Sequence, residues 1–423
     1  MVTQDASSAV AEAFTEEWGR IVATLIARTG DWDLAEDCAQ QAFAEAVRRW
    51  PRDGVPRQPG AWLTTVARNR AVDRLRHERM KESRLRAATD LMSATQPPDE
   101  PDPTFREEED ESGIADDRLR LMFTCCHPAL ALEGRVALTL RTLAGLTTAE
   151  IAHAFLVPEA TMAKRLVRAK GKIAHARIPY RVPPAHLLPE RTGGVLAVLY
   201  LLFNEGYKAS AGPDLVRTDL CREAIRLARV LDALMPDEPE AAGLLALMLF
   251  QHSRRLARVD ESGELVTLEE QDRSRWDRGE IDEAAARLDR ALARQSAGPY
   301  QLQAAIAACH AQSPRPDATD WARIATLYER LLDLMPQPIV ALNHAIAVAM
   351  AQGPDQGLLL VDELDASGAL SGYHLLHATR ADLLRRLGRV AEARAAYLQA
   401  LELTASDAER RFLIRRLEET APV

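Results

Sequence analysis

Apolar residues recur every three or four positions over residues 10–28 and again over 34–50. That is the repeat of helices with one face against a core. Pro51-Arg52-Asp53-Gly54-Val55-Pro56, with Pro59-Gly60 beyond, breaks the pattern, since proline lacks an amide donor and glycine loosens helical order. Helical spacing resumes over 61–85, with Trp62, Val66, Val72 and Leu75 as candidate apolar contacts. Residues 93–113 carry Pro97-Pro98, Pro101, Pro103 and Glu107-Glu108-Glu109-Asp110-Glu111, and read as a solvated acidic linker. Apolar periodicity returns over 133–143. A short helix is expected over 148–156, capped by Thr147 or Thr148 with Glu150 in its first turn. Val157-Pro158-Glu159 then turns tightly into a helix over 159–176, proline suiting a helix start. Two helices on so short a turn predict a helix-turn-helix.

Beyond residue 183 the pattern stays helical and becomes weakly repetitive. Leu231-Asp232-Ala233-Leu234-Met235-Pro236 followed by Pro239 echoes Leu331-Leu332-Asp333-Leu334-Met335-Pro336 followed by Pro338. Residues 373–403 hold Ala381, Leu387-Gly388-Arg389, Glu392-Ala393, Tyr397 and Ala400-Leu401. Small residues at a helix crossing and Leu-Gly before the turn fit the tetratricopeptide pattern, whose stacked pairs build an α-solenoid with a concave surface for a peptide or protein partner. The expected fold class is therefore all-α. Its expected parts are 1–92, the linker 93–113, a helix-turn-helix module over 114–182, and a tetratricopeptide-like domain over 183–423.

Composition agrees with several soluble helical domains: 423 residues, 47% hydrophobic, 27% charged and only 5% aromatic. The start, Met-Val-Thr-Gln-Asp, is no secretory signal, and the apolar runs 195–203 and 243–250 are far shorter than the ~20 residues that span a bilayer. Five cysteines, an odd and sparse set, predict no disulfide framework. A cytoplasmic location without membrane contact is expected.

The net charge of -9 alone argues against a nucleic-acid partner, but its distribution argues for one. Arg68, Arg70, Arg74, Arg76, Arg79, Lys81, Arg84 and Arg86 crowd one stretch, against only Asp73, Glu78 and Glu82. Lys164, Arg165, Arg168, Lys170, Lys172, Arg177 and Arg181 form a second, with the acidic tract between them. Two basic modules on an acidic chain mark two nucleic-acid-facing surfaces. In the second, Thr161, Lys164, Arg165 and Arg168 share one helical face while Met162, Leu166 and Ile173 can pack inward. Cations and small polar groups on such a face reach base edges and phosphates.

Other chemistry is thin. Cys125-Cys126-His127 has no second ligand pair at metal spacing, and buried thiols are the expectation. Asn204-Glu205 and Asp272 suit capping and ion pairs better than catalysis. With no phosphate loop, nucleophile elbow or metal cluster, no enzyme, cofactor or metal is expected.

Ala35-Glu36-Asp37-Cys38-Ala39-Gln40-Gln41-Ala42-Phe43, Trp50, Ala61-Trp62-Leu63 and Ala67-Arg68-Asn69-Arg70-Ala71-Val72-Asp73-Arg74-Leu75-Arg76 resemble region 2 of extracytoplasmic-function sigma factors. Glu150-Ile151-Ala152, Pro158 and Arg168-Ala169-Lys170 resemble their region 4. The resemblance implies that Glu36, Asp37, Gln40 and Phe43 dock on the beta-prime clamp helices of core RNA polymerase, with region 4 at the beta flap. It implies that Trp62, Asn69, Arg70, Asp73, Arg74 and Arg76 open and read the minus-ten promoter element. Thr161, Lys164, Arg165 and Arg168 are then the minus-thirty-five contacts, Ala163 standing where many relatives carry arginine. Trp62 serves equally well as a core residue. The runs 117–128, 201–207, 271–277 and 298–306 further resemble sigma factors with a fused C-terminal tetratricopeptide-like domain, which suggests regulation in cis. The alternative is a stand-alone helix-turn-helix regulator with a tetratricopeptide sensor.

Overall fold

A computed structural model describes residues 2–90, 117–155, 157–207, 218–258, 260, 266–295, 297–404 and 407–420. These residues form 18 α-helices and three 3-10 turns, with no strand among them. The acidic run Glu107–Glu111 lies outside the described residues, as do the side chains of Glu82, Arg84 and Arg86. The chain divides into two compact units, Met1–Leu199 and Tyr200–Val423. Helix α8 (Leu188–Tyr207) runs through that division.

The first unit begins with α1 (Val2–Thr29), α2 (Trp32–Asp53) and α3 (Pro59–Asp90), each packed on the other two. Trp18, Ile21, Val22, Phe43, Trp50 and Leu63 fill its core, with the Phe14 ring 5.0 Å from those of both Trp18 and Phe43. Asp31 starts α2 by accepting from the amides of Asp33 and Leu34 at 2.9 and 3.0 Å. The break expected at Pro51 falls instead at Gly54, where φ is +83° and the amide donates to the Trp50 carbonyl. A proline so near a helix end forfeits only one bond, and the positive φ that closes the helix suits glycine.

Next come α4 (Asp117–Cys125), α5 (Leu132–Thr142), α6 (Thr148–Ala154) and α7 (Glu159–His175). A capping box starts α6: the Thr147 hydroxyl accepts from the Glu150 amide at 3.1 Å, and the Glu150 carboxylate accepts from the Thr147 amide at 2.7 Å. Such a cap stabilises a helix by about 1 kcal/mol. It orders the entry of the chain into α6, the first helix of the helix-turn-helix.

The second unit is a succession of helices that pack mainly on their neighbours in sequence. They are α9 (Thr218–Leu234), α10 (Pro239–His252), α11 (Arg278–Leu292), α12 (Pro299–Ala311), α13 (Trp321–Leu334), α14 (Pro338–Gln352), α15 (Pro354–Ser367), α16 (His374–Arg386), α17 (Val390–Leu403) and α18 (Asp407–Glu419). The sequence echo has a structural counterpart. Met235 and Met335 both end a helix by donating to the residue four before, Leu231 and Leu331, and a proline opens the next helix. Residues 373–403 form the α16–α17 hairpin, with Gly388 at φ +73° in the turn and Ala381, Ala393 and Ala400 fully buried between the helices.

Candidate nucleic-acid interface

Helix α7 separates its residues as its spacing predicts. Met162, Leu166, Ala169 and Ile173 are buried, Thr161, Lys164 and Arg168 are exposed, and Arg165 is half-buried. Lys164, Arg165 and Arg168 have no carboxylate partner among the described residues. An uncompensated row of cations on an outward helix face attracts a polyanion. Ala163 is half-buried and lines a groove along α7 with Leu166 and Lys170.

Helix α3 places Asn69, Asp73, Arg74 and Arg76 on the surface and leaves Arg70 half-buried. Its cations are partly spoken for. Arg70 pairs with Glu45 at 3.1 Å and Arg74 with Asp37 at 3.0 Å. The hydrogen bond that Arg74 donates to Asp37 raises the Arg74 pKa above the ordinary arginine value. Trp62 is half-buried and packs edge-on to Trp50, ring centroids 5.8 Å apart. It thus carries part of the core and keeps an accessible face.

The four residues expected to dock on polymerase do not share one environment. Asp37 and Gln40 are exposed, whereas Phe43 packs against Phe14 and Trp18, and Glu36 is only 4% exposed. Glu36 is covered by the helix-turn-helix module of the same unit. Arg141 of α5 donates to it at 2.8 Å, and Lys170 of α7 donates to it at 2.8 Å and to Asp33 at 2.7 Å. Burial works to lower the Lys170 pKa, but Glu36 and Asp33 outweigh it and hold it above the ordinary lysine value. The Tyr180 hydroxyl sits 2.9 Å from the Ala23 carbonyl and 3.2 Å from that of Asp117. Shape completes the junction. A Cβ on Gly19 would stand 2.7 Å from the Leu143 carbonyl, and Gly145, at φ +77°, faces the Phe14 and Trp18 rings.

Lys170 therefore departs from the reading of its basic stretch as one nucleic-acid-facing surface: it faces carboxylates of α2. No local pattern announces a pair between residues 134 positions apart. Arg141 of α5 gives no signal either.

The remaining candidates are structural. Cys125 and Cys126 are buried, their thiols 3.4 and 3.7 Å from the hydroxyls of Thr142 and Thr139. Burial pushes the Cys126 thiol up to about 11 and Cys125 higher still, which keeps both protonated and inert. His127 accepts from the Ala129 amide through Nδ1 at 3.1 Å. Asp272 accepts from the Ser274 amide at 2.9 Å and caps a 3-10 turn. Asn204 hydrogen-bonds Tyr200. Among the described residues no cluster of His, Cys, Asp and Glu could hold a metal, and no helix is long and apolar enough to cross a membrane.

Comparison with known proteins places this geometry. Residues 14–80 match sigma-70 region 2 and residues 120–173 match sigma-70 region 4. Residues 191–292 match a family of unknown function, DUF6596. An uncharacterized protein of Rhizobium meliloti (strain 1021), R00370, is 45% identical over 389 residues, covering 92% of this chain and 90% of its own. No solved structure matches the chain.

Proposed function

Because the chain belongs to the sigma-70 family, as an extracytoplasmic-function-like sigma factor with a fused C-terminal domain, we propose that it binds core RNA polymerase and directs it to promoters with minus-ten and minus-thirty-five elements. The observation that carries this reading is α7, the second helix of a helix-turn-helix, whose outward cations lack carboxylate partners among the described residues, in a chain that also holds region 2. Thr161, Lys164, Arg165 and Arg168 contact the minus-thirty-five duplex. Trp62 with Asn69, Arg70, Asp73, Arg74 and Arg76 captures the opened minus-ten strand, an aromatic face beside cations being what an unstacked base requires. The protein's part is binding; bond formation belongs to the polymerase.

Docking on the clamp helices uses Asp37 and Gln40 directly. Use of Glu36 requires Arg141 and Lys170 to release it, so region 4 leaves region 2 when polymerase binds. The region from residue 183 onward regulates these modules in cis, favoured by the short, proline-stiffened segment Ile178-Pro179-Tyr180-Arg181-Val182-Pro183-Pro184 at its start. Run-off transcription with purified core polymerase on fragmented genomic DNA, with start sites mapped, tests the reading. Initiation at discrete sites that depends on the protein is expected. DNA binding without initiation on core alone would identify a stand-alone regulator instead. A fragment ending near Val182, compared at equal polymerase occupancy, tests cis-regulation, and equal promoter activity would remove it.

A further inference from the structure

The second unit has an open-sided cavity of about 380 Å³ whose wall includes Trp321, Tyr397 and Phe412. Arg273 also lines it and is 8% exposed. Its Nη1 donates to the carbonyls of His310 and Ser313, both at 2.6 Å, and its guanidinium lies over the Trp276 ring at 4.7 Å. Its Nε is buried with no acceptor.

The other cations of the wall differ. Arg386 pairs with Asp382 at 2.7 Å, and Arg416 pairs with Glu419 at 2.9 Å and Glu270 at 3.3 Å. Among the described residues Arg273 has no carboxylate partner. A buried guanidinium held only by carbonyls and a ring carries a full charge without a counter-charge, an arrangement that is costly unless something supplies one. Beside it His310, edge-on to Trp321 at 5.1 Å, has its pKa lowered to about 4 by burial and by Arg254 and Arg273. Neutral at ordinary pH, its imidazole adds no further charge to the wall.

From the buried, unpaired Arg273 in an aromatic-walled cavity we infer that this unit binds a small organic anion, a carboxylate carried on a flat apolar body. The carboxylate meets Arg273 and the body lies against Trp321 and Phe412. The volume suits a ligand of modest size, and selectivity comes from charge at one end and shape at the other. The inference does not depend on the sigma-factor reading, since it concerns only residues of the second unit.

The full-length chain is titrated with phenylacetate and with phenylacetamide, its uncharged near-isostere, by ligand-observed NMR. A ligand of about ten heavy atoms at ordinary efficiency binds in the millimolar range or better. Saturable phenylacetate binding is expected, at least about tenfold tighter than phenylacetamide, since a charge-assisted contact is being removed. Arg273→Gln abolishes that preference. Trp321→Ala weakens both probes together and leaves their ratio unchanged, which separates the two ends of the site. Equal affinity for the two probes, or no saturation by phenylacetate to about 20 mM, where a millimolar site is filled, overturns the inference. So does a preference that survives Arg273→Gln. If Arg273→Gln does not fold, the ratio in the native chain and the Trp321→Ala result decide. Tighter binding of inorganic phosphate than of phenylacetate overturns the apolar-body half of the inference.

Discussion

Two basic helices serve this chain, and they hold their charge differently. In α3, Arg70 and Arg74 already lean on Glu45 and Asp37 of the neighbouring helix. In α7, Lys164, Arg165 and Arg168 have no such partners among the described residues, whereas Lys170, further along, is engaged. Sequence charge counts already separate the two stretches, eight cations against three acids in the first and seven cations without an acid in the second; the fold adds that Arg70 and Arg74 of the first begin in exchangeable pairs. A cation must give up its carboxylate before it can serve a phosphate, so a count of arginines is not a measure of their contribution to binding.

The most severe way to disturb the contrast is to free Lys170. Glu36→Ala leaves Lys170 and Arg141 without their shared carboxylate, and breaking such a buried pair costs about 3–5 kcal/mol. Urea unfolding followed by tryptophan fluorescence should register that loss; a change below about 1 kcal/mol, the size of a surface pair, would mean the junction is not held by charge. Alkali offers an independent route. Because the Lys170 pKa is raised by folding, its stabilisation is complete below the ordinary value of 10.5 and disappears as pH rises through the higher folded value. The junction should therefore loosen only above that pH, and Lys170→Met should remove this alkaline step.

Arg165→Ala with Arg168→Ala comes next. An arginine on a base edge contributes about 1–3 kcal/mol, so holoenzyme affinity for a promoter duplex should fall at least tenfold while far-ultraviolet circular dichroism stays unchanged. Arg70→Ala with Arg74→Ala should cost less in the same assay, since those cations begin paired. Equal losses would erase the distinction between the helices. Thr147→Ala removes the capping box of α6 and should lower stability by about 1 kcal/mol in urea unfolding. The smallest effect belongs to Lys164→Ala: the slope of log affinity against log salt should shrink by about 0.9, one phosphate contact. A slope that does not move would place Lys164 away from the DNA backbone.

What the chain discloses in advance is local. The inward row Met162, Leu166 and Ile173, the Thr147–Glu150 box and the Gly388 turn each lie within one helical turn of their partners, and periodicity or capping chemistry makes them readable. The start of α1 at Val2 rather than near residue 10 is less readable, because Ala6 and Ala13 bury little surface and leave a faint apolar stripe. Glu36 beneath Lys170 and Arg141, or Arg273 on the carbonyls of His310 and Ser313, cannot be read at all. Those partners lie tens to more than a hundred positions apart, and a carboxylate in sequence looks the same whether it will face water or a lysine. Asp37, its immediate neighbour, illustrates this: one position further round α2, it is exposed.

Gly19 carries a consequence of another kind. A methyl group there would stand 2.7 Å from the Leu143 backbone oxygen, closer than real Cβ atoms come, yet within α1 alone alanine is the better helix former by about 1 kcal/mol. One carbon atom thus acts with opposite signs on the two levels of the structure: it strengthens the module and penalises its union with the next. A methyl group there opposes the packing of region 4 on region 2 sterically, with every charge left in place. For the release of region 4 proposed above, each 1.4 kcal/mol of clash at Gly19 would shift the ratio of parted to joined molecules about tenfold.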